Sequence, residues 1–392
     1  MTARLPPAPW TQREDLARMV AALGGPAKAR WVGGAVRDTV LGADAADVDC
    51  ATTLAPRDVM GRLERAGIKV IPTGIDHGTV TALLPGGKVE ITTLRRDVST
   101  DGRRATVEYA EDWHEDAARR DFTINALYAD PVTLEIFDYF DGLADLAARH
   151  VRFIGDAHQR IREDHLRILR YYRFQARFGA KPDADAEEAC VELSATLKGL
   201  SRERVAMELL NLLALPDPSA TVQRMHEQGV LGVVLPEATD ATVHTLARLI
   251  EAEKLATLSP DPIRRLAALL PASPPAAETV AARLRLSKAQ RQRLSGAAAR
   301  LPADADAPRA LAYREGRDSA LDRLLLEGAD VSALSGWDVP PFPLKGGEIV
   351  ARGITAGPEV ARILRAVEAE WISEGFPGRE RALELLQRTI KG

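Results

Sequence analysis

Residues 32–53 read VGGAVRDTVLGADAADVDCATT, and two short patterns in them set the reading of everything around. Gly33 and Gly34 close an apolar run and open an amphipathic stretch, as where a strand turns tightly into a helix. Lacking side chains, they let backbone N–H groups approach an anion closely, and a helix N-terminus adds favourable polarity. Arg37 falls one turn into that helix, within reach of the same anion. Alone, Gly-Gly before a helix also marks an ordinary tight turn. Downstream come Asp47 and Asp49, which on a strand project to one face. Two carboxylates that close repel unless a cation lies between them. Magnesium accepts carboxylate oxygens together with substrate phosphates, and a metal pair can activate a hydroxyl while steadying a leaving pyrophosphate. A solvated Asp-x-Asp turn is the rival reading of the tripeptide. The glycine turn just upstream favours the metal.

Outward from this stretch, residues 30 to about 141 have a strand-like texture. The apolar runs are RWVGGAV, DVDCAT, KVIPTGI, GTVTALLP, KVEITTL, FTINALYA and LEIFDYF, punctuated by Gly, Pro and Asp. A helical segment, APRDVMGRLERAG, interrupts them. The pattern predicts a mixed head over 29–142 with a sheet of about five strands, preceded by a helical lead-in over 1–28. The polar segment from Arg96 to Ala118 shows no period and is expected to be a mobile loop. Glu90, mid-strand in KVEITTLR, either completes a metal shell or faces water at an edge. In RRDFTINAL, Arg119 and Arg120 offer planar forks suited to phosphate and ribose oxygens, with a surface salt bridge to Asp121 as the alternative.

From about residue 143 the periodicity becomes helical. A neck over 143–236 and a helical body and tail over 237–392 are expected, giving an α+β chain: a mixed head followed by an extended all-helical neck, body and tail. AHQRIREDHLRILRYYRFQARFG, residues 157–179, reads as one long helix, and SRERVAMELLNLLAL as another with Ser201 as N-cap. The stretch 149–181 is strongly basic, through Arg152, Arg160, Arg162, Arg167, Arg170, Arg173 and Arg177. Such a run is expected to meet something anionic.

At 392 residues the chain exceeds one ordinary core, and two to four packed units are expected. A hydrophobic content of 46% with mixed charge argues for a folded, soluble protein. No apolar run approaches the roughly 18–20 residues that cross a membrane. The start MTARLPPAPWTQRED lacks the apolar core of a signal peptide. Cys50 and Cys190 share no metal or redox spacing, which suits a reducing, cytoplasmic compartment.

Taken in order, GGAVRD, DVD, RRDFTINAL, FDGLADLAARHVRFIG, EDHLRILRYYRFQARFG and SRERVAMELL resemble the motifs of the class II tRNA nucleotidyltransferases (CCA-adding enzymes) and of the bacterial poly(A) polymerases. The likeness runs from about Trp31 to Glu237, and more loosely through the tail. It implies a nucleotidyltransferase head with catalytic Mg²⁺ on Asp47 and Asp49. It also implies nucleotide contacts from Gly34, Arg37 and Arg120, and from Asp164, Arg167, Arg170 and Arg173 in the neck, beside Gly33, a nucleotide-binding candidate from its turn. Glu90 is a candidate third catalytic acid. Asp38 and Asp121 match motif positions with a structural role open to them. The implied reaction is template-independent addition of C, C and A to the tRNA 3′ end from CTP and ATP. Nucleotidyl transfer demands mostly positioning and charge stabilisation, so it needs no Cys, Ser or His nucleophile.

Asp164 and Arg167 stand at i and i+3 and would share one helix face, an acceptor beside donors. Cytosine and adenine each present an amino donor next to a ring acceptor, which such a pair would accept. Uracil and guanine would set a carbonyl against the Asp. Glu163 would hold the Arg in place. Poly(A) polymerase is the nearest rival, but such enzymes usually carry a strongly basic C-terminal extension, whereas this sequence ends in LLQRTIKG. Partial C- or A-addition is a second alternative. A non-catalytic RNA-binding protein on the same scaffold is a third, disfavoured because both Asp47 and Asp49 are present.

Overall fold

The computed structural model describes residues 3–45, 47–100 and 105–391. Its chain divides into two compact units, Met1–Leu212 with Glu227–Val234, and Leu213–His226 with Leu235–Gly392. The expected head–neck boundary near residue 142 lies inside the first unit.

The first unit opens with α1 (Glu14–Leu23), whose Leu16, Met19, Val20 and Leu23 recur at helical spacing and are buried. Glu14 and Asp15 suit its N-terminal dipole, and Gly24, in the left-handed region at φ 108°, ends it. Strand β1 (Ala29–Val32) passes through Gly33 into α2 (Gly34–Val40). Strand β2 (Val48–Thr52), α3 (Pro56–Arg65), β3 (Lys69–Gly74), β4 (Thr79–Leu84) and β5 (Gly87–Thr93) follow. A two-stranded ribbon, β6 (Arg95–Thr100) and β7 (Ala105–Tyr109), leads to α4 (Trp113–Ala118). Strands β8 (Leu127–Ala129) and β9 (Ile136–Asp138) complete the sheet, in the order β3-β4-β5-β2-β1-β8-β9. Only β2 and β5 run parallel; the other neighbours are antiparallel.

The sheet therefore has seven strands where about five were expected. Each apolar run supplies one, and the two three-residue strands β8 and β9 extend it past β1. The expected loop from Arg96 to Ala118 is largely ordered as β6, β7 and α4, with residues 101–104 outside the described residues. The sequence of β7, ATVEY, alternates apolar and polar residues, but over five positions only, and β6, RRDVST, does not. The six-residue α4, N-capped by Asp112, is too short to show a period.

Helices then take over: α5 (Gly142–Ala148), α6 (Ala157–Glu163), α7 (Arg167–Phe178), α8 (Ala184–Glu192) and α9 (Arg202–Leu213). Residues 157–179 form two helices rather than one. Asp156 caps α6, and Asp164 leaves helical geometry at φ −150°, ψ 104°. Its Oδ1 accepts from Leu166 N–H at 3.1 Å, so the side chain supplies a bond the helix would otherwise make. One face of α7 buries Ile168, Tyr171, Phe174 and Phe178. Phe174 meets Phe122 of the head and Tyr171 meets Phe153, which follows it, with Phe122–Phe174 ring centroids at 5.1 Å and Phe153–Tyr171 at 5.9 Å. Burying side chains of this size contributes roughly 1.5–3 kcal/mol each.

Described residues of the second unit form helices and connecting turns, from the last residue of α9 through all but the last residue of the helix Ser219–Glu227 to Arg379–Lys391, with no strand. Trp371 centres one apolar cluster with Ile349, Ile363 and Val367. A buried ionic lattice joins Glu253 and Asp322 to Arg264, Arg265 and Arg293. Among the described residues no helix is long and apolar enough to cross a membrane.

Candidate active site

The centre of the sheet carries the acids. Asp49 lies on β2 in parallel register with Glu90 on β5, and Val32 of β1 pairs with Asp49 from the other side. Asp47 sits one residue ahead of the strand, yet it lines the same cavity of about 180 Å³ as Asp49, Glu90 and Lys88. Burial pushes the Asp49 carboxyl up to about 6, with Glu90 and then Asp47 adding repulsion against the pull of Arg120 and Lys88. No hydrogen bond reaches its carboxylate among the described residues. Nor do the described residues supply three metal-binding side chains in one group. Hard carboxylate oxygens short of countercharge suit a divalent cation that completes its shell with substrate phosphates and water.

Gly33 turns the chain at φ 72°, ψ −125°, a conformation side-chain-bearing residues rarely adopt. A β-carbon there would lie 3.7 Å from Arg120 Nη1, so this guanidinium lies close to the glycine turn. Arg120 Nε donates to Tyr128 Oη at 2.9 Å and Nη2 to Asp116 Oδ2 at 3.2 Å. Asp116 also accepts from Tyr128 Oη at 2.6 Å and pairs with Arg119 at 2.6 Å. Although burial opposes it, these partners hold the Asp116 carboxyl at about 2. A second cavity of about 170 Å³ adjoins Asp49 and Glu90 and is lined by Arg95, Arg119 and Arg120.

Arg37 is committed inward. It is buried, donates to Asp38 at 2.8 Å and to Asn125, and lies 4.4 Å from the Phe178 ring centroid. Burial lowers its pKa against the pull of Asp38. Asp38 joins Arg37 to Arg177, and Asp121 joins Asn125 to Arg170, so both acids tie the head to α7. Asp121 is held far below the usual carboxylate range chiefly by Arg170, against burial.

The arginines of α7 form a stripe whose members each meet an acid of this chain. Arg167 Nη1 pairs with Glu163 at 2.6 Å and Arg170 with Asp121 at 2.5 Å. Arg173 meets Glu208 of α9 at 2.6 Å, and Arg177 meets Asp38 at 3.1 Å. Much of the basic face expected to face an external anion is thus neutralised internally. Arg167 also donates to the carbonyls of Arg160 and Arg119, at 2.8 and 3.2 Å. Glu163 holds it, as expected. Asp164 is not its partner: the half-buried Asp164 Oδ2 instead accepts from Arg204 of α9 at 2.6 Å. Because the helix breaks, the i, i+3 argument for a shared Asp164–Arg167 face does not apply.

The fold therefore brings Asp47, Asp49, Glu90, Gly33 and Arg120 together. Sequence reasoning missed Asp116, Tyr128, Lys88, Arg204 and Glu208. Two of these had local signals: Asp116 precedes Arg119 and Arg120 by helical spacings, and Lys88 precedes Glu90 by two on one strand.

Acids at the sheet centre beside a glycine turn and an arginine cluster define a nucleotidyltransferase head. A family model described as "Poly A polymerase head domain" matches residues 29–152, and one described as "Probable RNA and SrmB- binding site of polymerase A" matches 179–242. The mouse protein named CCA tRNA nucleotidyltransferase 1, mitochondrial, is 35% identical over 370 residues, covering 88% of this chain and 83% of its own. A CCA-adding enzyme of Leuconostoc mesenteroides is 43% identical over 188 residues, covering 47% of this chain and 46% of its own. The crystal structure of the Bacillus stearothermophilus CCA-adding enzyme in complex with CTP superposes with a TM-score of 0.74 at 25% identity, covering 97% of this chain and 99% of that one. The chain belongs to the CCA tRNA nucleotidyltransferase family.

Proposed function

We propose that this chain adds C, C and A in turn to the 3′ end of tRNA, using CTP and ATP and releasing pyrophosphate. The observation that carries the reading is Asp49: a half-buried acid in register with Glu90, sharing a cavity with Asp47, and lacking a bonded cation among the described residues. Asp47 and Asp49 would hold Mg²⁺, with Glu90 as a third acid at the same cavity. When bound, the ion supplies charge for the phosphoryl oxygens and for the attacking 3′-hydroxyl. Asp49, whose carboxyl is pushed to about 6, is mainly ionised at neutral pH and available to it.

The remaining work is positioning. Gly33 and Gly34 give the triphosphate close approach to backbone, and Arg120 supplies a fork beside them, itself fixed by Asp116 and Tyr128. Asp164 accepts from the exocyclic amine of cytosine or adenine and opposes the carbonyl of uracil or guanine. Arg167, held by Glu163, donates to the ring with the N–H groups not spent on Arg160, Glu163 and Arg119. Arg170 and Arg173 contribute by fixing this wall through Asp121 and Glu208, and Arg37 through Asp38 and Asn125. We place the enzyme in a reducing, cytoplasmic compartment, a reading supported by two free, buried cysteines.

The test offers tRNA transcripts lacking CCA, ending in C, or ending in CC, with each labelled nucleoside triphosphate separately and together. C, C, A and a stop is the expected product. Unlimited A addition would replace the reading with poly(A) synthesis, and a halt after C residues would make it a partial enzyme. An Asp164→Ala variant should accept UTP or GTP more readily while tRNA affinity stays near wild type; unchanged base choice would remove Asp164 from base selection.

A further inference from the structure

Lys88 differs from the other cations near the acids. Arg119 and Arg120 are bonded to Asp116, whereas Lys88 forms no ion pair or hydrogen bond among the described residues. It precedes Glu90 by two residues on β5, so the two share a face. It is exposed and lines the cavity of Asp47, Asp49 and Glu90. It acts on Asp49 through space and bridges none of the three acids among the described residues.

Its side of the sheet matters. Strand β2 lies between β1 and β5, and one row of the sheet reads Val32, Asp49, Glu90. The glycine turn follows Val32 on the β1 side, and Lys88 stands on the β5 side. With neighbouring strands about 4.8 Å apart, the two flank Asp49 across about 10 Å. Nucleotidyl transfer sets the attacking and leaving oxygens roughly in line through phosphorus. A triphosphate lying against Gly33, Gly34 and Arg120 leaves the β5 side for the attacking 3′-oxygen. That oxygen belongs to a nucleotide carrying its own phosphodiester, which the three acids repel.

We propose that Lys88 contacts the backbone phosphate of the RNA's 3′-terminal nucleotide and so seats the attacking hydroxyl, an assignment that rests on the transfer reading above. Lysine acts here as a point charge, without the bidentate geometry that would demand arginine. The full-length enzyme is compared with Lys88→Ala and Lys88→Arg on tRNA lacking CCA, measuring KM for tRNA and for CTP and the tRNA Kd over a salt series without nucleotide. Lys88→Ala should raise the tRNA KM about tenfold and leave the CTP KM within about twofold. It should lower the salt slope of binding by about 0.7, one single-strand phosphate contact. Lys88→Arg should restore most of the tRNA KM. A tRNA with an uncharged methylphosphonate at its terminal linkage should reproduce the loss in wild type and add none in Lys88→Ala. Additive losses, or a raised CTP KM with unchanged tRNA KM, would overturn the assignment in an enzyme that still adds C. A wild type unable to add C to tRNA would overturn the transfer reading and this contact with it.

Discussion

Asp49 on β2 and Asp322 in the helix Arg317–Glu327 are both carboxylates withdrawn from water, one in each unit. Asp322 accepts from Arg264 at 2.7 Å and from Arg293 at 2.8 and 3.0 Å. Nearby, Glu253 accepts from Arg264 and Arg265, each at 2.8 Å. Asp49 has acids for neighbours instead, and its carboxyl rises to about 6. An acid withdrawn from water beside its cations holds helices together. One withdrawn beside other acids waits for a cation from outside. The stripe on α7 belongs with Asp322: its charges looked like a binding face in the sequence and turn out to be matched.

Three substitutions can break this comparison. Glu253→Gln leaves the buried Arg265 without an acid and Arg264 with Asp322 alone, and should cost about 3–5 kcal/mol in chemical denaturation. A loss under about 1 kcal/mol would mean that the lattice is incidental. Asp116 gives an intermediate effect with a pH signature. Its carboxyl is lowered in the folded chain to about 2 from an ordinary 3.8, so the stability it confers is complete above about pH 4 and lost as pH falls towards 2. Asp116→Asn should therefore cost roughly 2 kcal/mol at pH 7 and flatten that acid limb of denaturation midpoint against pH. A limb of unchanged steepness would show that the arginines around Asp116 do not stabilise the fold. Asp49→Asn should cost least: removing one of several repelling acids should leave stability unchanged, or raised by up to about 1 kcal/mol. A loss as large as that of Glu253→Gln would erase the distinction.

What the sequence made legible was local. Gly33 and Gly34 before a helix depend on a spacing that backbone geometry translates directly; Asp47 with Asp49 and Glu163 with Arg167 do come together, although Asp47 precedes its strand and the helix breaks between Glu163 and Arg167. The seven apolar runs were visible too, and each became a strand, so the expectation of about five was too low. The contacts that decide what α7 does were not visible. Arg177 meets Asp38 across 139 residues, Arg170 meets Asp121 across 49, and Asp164 meets Arg204 across 40. No periodicity carries such pairings, and a basic run reads alike whether its partners are phosphates or its own acids. The break at Asp164 escaped because an Asp bonding to the backbone two residues on leaves the apolar spacing of a helix intact.

Single-turnover addition of C to tRNA lacking CCA, by wild type and by Asp49→Asn with saturating CTP and Mg²⁺, tests the role of the unmatched acids most directly. Transfer should fall by about a thousandfold or more, with tRNA affinity within about twofold and the melting temperature no lower than that of wild type. Transfer within tenfold of wild type would contradict it and leave Asp49 a half-buried acid without a catalytic task.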